Sequence, residues 1–278
     1  MKVIKKASVL VLGIWWLLFQ AVLADDAQFA KILLKAEAQG EPIPVLSLLY
    51  PKMDVALAYG IQKAYVEQKQ ATTKIVGFKA GLTSDAGQKR FGLTAPVTGV
   101  LFGSGRLTGP AVVDSTRFGR AMIETEIGFV MGQRLTLPLA DVAELKACVT
   151  ALMPVIELPD LGFARMEDLK GVDIIAANVS ARNFVVGSQH PQDQIDPDKV
   201  VVTLSLDGET IHGGKGSDVL GNQWETAFWL VNQTLAQGWS LEPGQVIITG
   251  AMGPMIPGKP GKYVADYGVL GNIFFEIR

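Results

Sequence analysis

The stretch Ala121-Met122-Ile123-Glu124-Thr125-Glu126-Ile127-Gly128-Phe129-Val130 reads as a β-strand, and the spacing of its glutamates sets the reading of the rest. Alternate side chains of a strand face the same way. Glu124 and Glu126 therefore share one face, and Ile123, Ile127 and Phe129 share the other. Neighbouring carboxylates repel, and a buried charge is costly unless something compensates it. Carboxylate oxygens suit Mg²⁺, Mn²⁺ or Ca²⁺, so the pair points to a divalent-cation site. The competing reading is a solvated strand face with two surface acids, and the surrounding sequence has to decide.

With 278 residues, 49% of them hydrophobic, and a net charge of -2, the chain suits one large globular domain with a small helical attachment. It has no basic excess and no Lys/Arg run with interleaved aromatics, which argues against a nucleic-acid partner. Lys2, Lys5 and Lys6 precede an apolar stretch over 9–19, and the small residues Ala21 and Ala24 follow just before Asp25 and Asp26. That order reads as an export signal over 1–24, cleaved after Ala24. The mature protein is then expected in the periplasm or outside the cell, with no membrane contact. An uncleaved anchor is the alternative, since 7–24 approaches spanning length. Cys148 is the only cysteine, so intramolecular disulfides are impossible.

Helices are expected over 26–39 and 53–68, the second with Leu57, Ile61, Ala64 and Tyr65 on one stripe. Strands are expected over 74–79, 99–102 and 122–131. Asp141 with Glu144 three residues on is a helix start, giving a helix over 141–152 that Pro154 ends before a short strand over 155–158. Segments 173–179 and 200–206 open the second half, the latter followed by the hairpin signal Asp207-Gly208. A helix over 224–237 and strands within 245–249 and 263–277 complete an α+β chain. Its expected parts are a helical region over 25–72 and a mixed-β catalytic domain over 73–278.

Further residues join the glutamate pair. Glu157 lies in Met153-Pro154-Val155-Ile156-Glu157, and three carboxylates with water and substrate oxygens could complete an octahedral shell. Lys79 ends a strand before the turn Ala80-Gly81-Leu82-Thr83-Ser84, where it could deliver an ammonium into a cleft. Asn178, Ser180 and the glycine-rich Gly213-Gly214-Lys215-Gly216 follow, where backbone can approach a ligand closely. His190 reads as solvated. His212 lies beside the glycine-rich run, but two histidines and one cysteine make a zinc site of the usual kind a poor fit. No Gly-x-Ser-x-Gly elbow supports a serine hydrolase.

In this order the segments resemble the 2-keto-4-pentenoate hydratase family, part of the fumarylacetoacetate hydrolase superfamily. The matching stretches are Gly77 to Ser84, Glu124 to Gly132, Pro154 to Glu157, Ala177 to Ser180, Gly214 to Gly216 and Thr249 to Ala251, with Ala58 to Gln62 upstream. The resemblance implies a mixed β core, homo-oligomers, and Mg²⁺ or Mn²⁺ held by Glu124, Glu126 and Glu157. It also implies a small 2-keto or 2-hydroxydienoic acid as substrate. Hydratases of this kind add water to a 2-hydroxypenta-2,4-dienoate, and close relatives decarboxylate 4-oxalocrotonate.

The residues fit that chemistry. A 2-keto acid can chelate a divalent cation, which stabilises the enolate as a Lewis acid. Lys79 is the expected proton-transfer group, with a pKa lowered by burial and a nearby cation. Thr83, Ser84, Asn178, Ser180 and the Gly214 backbone are the candidates for holding substrate. One departure stands out: Val97 follows Pro96 where family members commonly carry an acid. Together with the export signal it leaves a second class open, an exported keto-acid-binding protein that has lost turnover.

Overall fold

The computed structural model describes residues 26–219 and 221–278; the expected export signal lies outside them. The N-terminal helices are α1 (26–39), α2 (Leu46–Leu49) and α3 (Val55–Lys69). There follow β1 (Ile75–Gly81), α4 (Asp85–Arg90), β2 (Val97–Phe102), β3 (Arg106–Thr108), β4 (Ala111–Val113) and β5 (Met122–Met131). Next come α5 (Val142–Cys148), β6 (Val149–Leu158), α6 (Gly171–Ala176), β7 (Asn183–Val186), β8 (His190–Pro191), β9 (Val201–Leu206) and β10 (Glu209–Lys215). The chain closes with α7 (Gln223–Ala236), β11 (Val246–Ile248), β12 (Ile256–Pro257), β13 (Gly261–Asp266) and β14 (Asn272–Ile277). The fold is α+β, as the sequence implied. None of the described helices is long and apolar enough to cross a membrane.

The larger sheet has the order β2-β1-β11-β5-β6-β7-β3. Laid flat, its end strands would stand roughly 29 Å apart at the usual strand spacing. Yet β2 and β3 are joined through Gly103–Gly105 alone, a link that cannot reach beyond roughly 14 Å. The sheet must therefore roll until its edges approach. Its inner face holds a second apolar cluster that includes Leu101, Val130, Met153, Val155, Phe184 and Ile248. Its outer face joins the main core, which α1, α3, α6 and α7 share with the second sheet, of order β10-β9-β13-β14-β4.

Local chemistry explains most element ends. Asp54 caps α3 by accepting from Leu57 N at 2.8 Å. Asp141 caps α5 by accepting from Glu144 N, while the Glu144 carboxylate returns to Ala140 N. Asp207 and Gly208, at φ 49° and 90°, turn β9 into β10, matching the hairpin signal. One expectation needs correcting. The helix from Asp141 stops at Cys148, and one strand runs from Val149 through Pro154 to Leu158. Proline is tolerated there because β8 pairs with 151–152 and β7 with 155–158, leaving Pro154 at the gap between partners. Its carbonyl accepts from Gly187 N at 3.0 Å. Segment 173–179 is the rest of α6 leading into a left-handed turn.

Candidate metal centre and active site

Register places the acids. Glu124 stands opposite Glu157 across the β5–β6 ladder, and Glu126 stands opposite Val155. By strand alternation all three glutamates point into the rolled sheet. Their carboxylate oxygens lie within 4.8 Å of one another. Glu126 and Glu157 are fully buried and Glu124 is half-buried, so the solvated-face reading fails.

Lys79 comes from a distant row: its ladder partner is Ile248, which in turn faces Gly128. Its ammonium nevertheless donates to Glu157 Oε1 at 2.5 Å and to the Val179 carbonyl at 3.2 Å. Only a rolled sheet allows this contact across its interior. Glycines make room for it. A Cβ on Gly81 would stand 2.4 Å from Val179 Cγ1, and one on Gly99 would stand 3.0 Å from both Lys79 Cγ and the Asn178 carbonyl.

The turn carrying that carbonyl is unusual. Asn178, Val179 and Ser180 all have left-handed backbones, at φ 53°, 51° and 57°. For a β-branched residue such as Val179 this conformation is strained and persists only where surroundings enforce it. Asn178 supplies part of the enforcement. Its side-chain Oδ1 accepts from Val100 N and its Nδ2 donates to Val100 O, both at 2.8 Å. The amide thus pairs with β2 much as a neighbouring strand would, and both ends are engaged by backbone.

Charge follows from this crowding. Burial, then Glu157, push the Glu124 carboxyl up to about 7, against the pull of Lys79. Burial, then Glu157 and Glu124, push Glu126 well above the carboxylate range, although its Oε2 accepts from Gly250 N at 2.7 Å. Burial works to lower Lys79, but the attraction of Glu157, Glu124 and Glu126 outweighs it and raises its pKa. The expectation of a lowered lysine pKa is therefore corrected: three acids surround it, and none of that is visible in its own segment.

The donor set fits a hard divalent cation. Glu126 Oε1 and Glu157 Oε2 are buried without a hydrogen-bond partner among the described residues, a costly state that a cation would relieve. With Glu124 and Glu126 pushed toward their protonated forms, a cation would displace protons from the cluster as it binds. Among the described residues, Glu124, Glu126 and Glu157 are the group that could hold a metal ion.

The remaining candidates divide. The Ser180 hydroxyl, one residue on from Val179, is buried and has no hydrogen-bond partner among the described residues. Thr83 packs on Gly250, whose amide serves Glu126: a Cβ there would meet Thr83 Oγ1 at 2.6 Å. Ser84 caps α4, accepting from Gly87 N. Gly214 lies against the Met252 carbonyl, and Met252 in turn bonds Thr125 on the opposite face of β5 from the glutamates. His212 joins that rear network, with Nε2 3.1 Å from the Met252 carbonyl. His190 is half-buried and bonds the Leu270 carbonyl rather than standing in solvent. Val97, 2% exposed, faces the same way as Lys79 two residues along the paired strand. Sequence reasoning assigned no role to the Gly250 amide or the Val179 carbonyl. Both act through backbone, which leaves no residue-type signal.

Known proteins resemble this arrangement. The family described as fumarylacetoacetate (FAA) hydrolase C-terminal matches residues 90–269. The chain is 33% identical over 257 residues to a 2-keto-4-pentenoate hydratase of Burkholderia vietnamiensis (strain G4 / LMG 22486), covering 90% of this chain and 98% of that protein. It is 30% identical over 233 residues to a 4-oxalocrotonate decarboxylase of Pseudomonas sp. (strain CF600), covering 82% and 87%. Among solved structures, the 4-oxalocrotonate decarboxylase from Pseudomonas putida G7 complexed with magnesium and adipate superposes with a TM-score of 0.85. The two share 27% identity, over 93% of this chain and 98% of that one.

Proposed function

The chain belongs to the fumarylacetoacetate hydrolase family, and from that premise we propose a divalent-metal-dependent lyase that adds water to a small 2-hydroxy-2,4-dienoate. The observation carrying this reading is the cluster of three glutamate carboxylates, two with unpartnered buried oxygens, beside a buried lysine. Glu124, Glu126 and Glu157 would hold Mg²⁺ or Mn²⁺, which when bound supplies Lewis-acid stabilisation of negative charge on a 2-keto acid's oxygens.

Hydration moves a proton from the 2-hydroxyl to carbon 5, then adds the hydroxyl of water at carbon 4 and its proton at carbon 3. We assign the proton transfers to Lys79 Nζ. The support is its fixed position between Glu157 and Val179; a cation held by the three glutamates would offset the attraction that raises its pKa and bring it toward a useful range. Ser180 and Thr83 are assigned to the substrate carboxylate, Ser180 because its hydroxyl is otherwise unpartnered. Ser84 is assigned a supporting role at the rim, and Gly214, packed against Met252 behind β5, is assigned to holding that rear network. Asn178, engaged at both ends of its amide, is assigned to holding the turn that presents Val179 and Ser180. Apolar Val97 leaves Lys79 as the proton carrier without a neighbouring acid on that strand.

A second reading, decarboxylation of a 4-oxalocrotonate-type acid, is favoured by the likeness to decarboxylases in both sequence and structure. Both reactions pass through the same charge on the keto oxygen, so assay must separate them. Purified protein with Mg²⁺ is given 2-hydroxypenta-2,4-dienoate or 4-oxalocrotonate in parallel. Formation of 4-hydroxy-2-oxopentanoate supports the hydratase, and CO₂ release supports the decarboxylase. Metal-dependent binding of oxalate without either product would instead favour the exported binding protein. Action outside the cytoplasm rests on the 1–24 leader and is tested by cell fractionation. Assembly into homo-oligomers is tested by light scattering.

A further inference from the structure

The turn between β13 and β14 sends one side chain into the strand pair that carries the acids. Tyr267 is fully buried. Its hydroxyl accepts from Glu126 N at 3.2 Å and donates to the Val155 carbonyl at 2.5 Å. Glu126 and Val155 are directly opposed in the β5–β6 ladder, so the phenol bridges that ladder at a candidate metal ligand. The ring belongs to the main core outside the rolled sheet, opposite the face on which the carboxylates meet. Its base is fixed in turn, because Tyr267 N donates to Gly271 O at 3.0 Å.

We propose that Tyr267 is a positioning residue, by which the second sheet sets the backbone of Glu126 for cation binding; this rests on the three-glutamate reading above. Glu126 is held from two sides, by Gly250 N at its carboxylate and by Tyr267 at its amide. Loss of a partner that orients a metal ligand typically weakens affinity about 10- to 100-fold. A neighbouring tyrosine supplies the control. Tyr263, also buried, accepts from Lys259 N and donates to Lys259 O, so its hydroxyl engages backbone as that of Tyr267 does, but the backbone of Lys259 rather than of β5 or β6.

The test compares wild type, Tyr267→Phe and Tyr263→Phe after chelator treatment, titrating Mn²⁺ by calorimetry and recording metal-free melts. Both variants should melt lower, and only Tyr267→Phe should bind Mn²⁺ at least about tenfold more weakly. Equal affinity in Tyr267→Phe, or an equal loss in Tyr263→Phe, overturns the proposal. Failure of wild type to bind Mn²⁺ instead overturns the three-glutamate reading on which it depends. Should Tyr267→Phe not fold, hydrogen exchange in the wild type decides. Coupling between sites is reciprocal, so Mn²⁺ must slow exchange in the 266–272 turn as well as in β5. Protection confined to β5 and β6 overturns the proposal.

Discussion

Stripped of divalent cations, the protein should lose stability as pH rises through neutrality, the reverse of ordinary acid denaturation. Glu124 has a pKa of 4.5 as a free side chain and about 7 in the fold. Between those values the folded state binds more protons than the unfolded one, so stability falls as pH rises. The contribution is complete below pH 4.5 and lost above about 7. At about 1.4 kcal/mol per pH unit the loss would reach about 3 kcal/mol. Solvent contact at the half-buried Glu124 side chain reduces it to about 2–3 kcal/mol. In a chain of this size that corresponds to a fall in Tm of roughly 4–12 °C. Thermal melts in chelator at pH 5 and pH 8 measure it directly. Excess Mg²⁺ should restore the pH 8 melt, because ligand bound only by the native state stabilises it. Glu124→Gln should flatten the descent. A chelated protein equally stable at both pH values, or an undiminished slope in Glu124→Gln, would show that titration of a buried Glu124 does not govern stability.

Other perturbations follow from the same geometry. Glu157→Gln and Glu124→Gln should each reduce metal-dependent turnover by more than about 100-fold, with circular dichroism unchanged; near-wild-type activity in both would remove the three-glutamate site. Lys79→Met should cost about 10²- to 10⁴-fold in kcat through lost proton transfer. It should also lower the metal-free melt at pH 8, since Glu157 loses its ionic partner in a buried place. Gly81→Ala would drive a methyl into Val179, with an expected cost of about 1–3 kcal/mol in urea unfolding and a lower kcat as the carbonyl shifts from Lys79. Asn178→Ala leaves the buried amide and carbonyl of Val100 unpaired, so urea unfolding should report a loss of about 2–5 kcal/mol.

The acid pair was legible because strand periodicity is local: Glu124 and Glu126 must share a face wherever β5 runs. Glu157 was found for a reason that was half wrong. Pro154 suggested a helix stop, whereas it sits inside a strand at the one point where its partners change. The Lys79 segment showed a strand running into a glycine turn. Its charge state was hidden, because the three acids that raise it arrive from β5 and β6 only when the sheet rolls. Nothing in Asn178-Val179-Ser180 announces three left-handed residues, since valine disfavours that conformation and the enforcing contact comes from Val100. Tyr267 lies 141 residues from Glu126, and a tyrosine in a strand turn carries no local sign of a bond to the amide of a candidate metal ligand.

Metal binding by the three glutamates is tested most directly by the anomalous difference map of a crystal soaked in Mn²⁺, collected with a chelator-treated crystal as reference. One strong peak is expected between the carboxylates of Glu124, Glu126 and Glu157, absent after chelation and in Glu157→Gln. A map with no peak there, or with its only peaks at other residues, would contradict it.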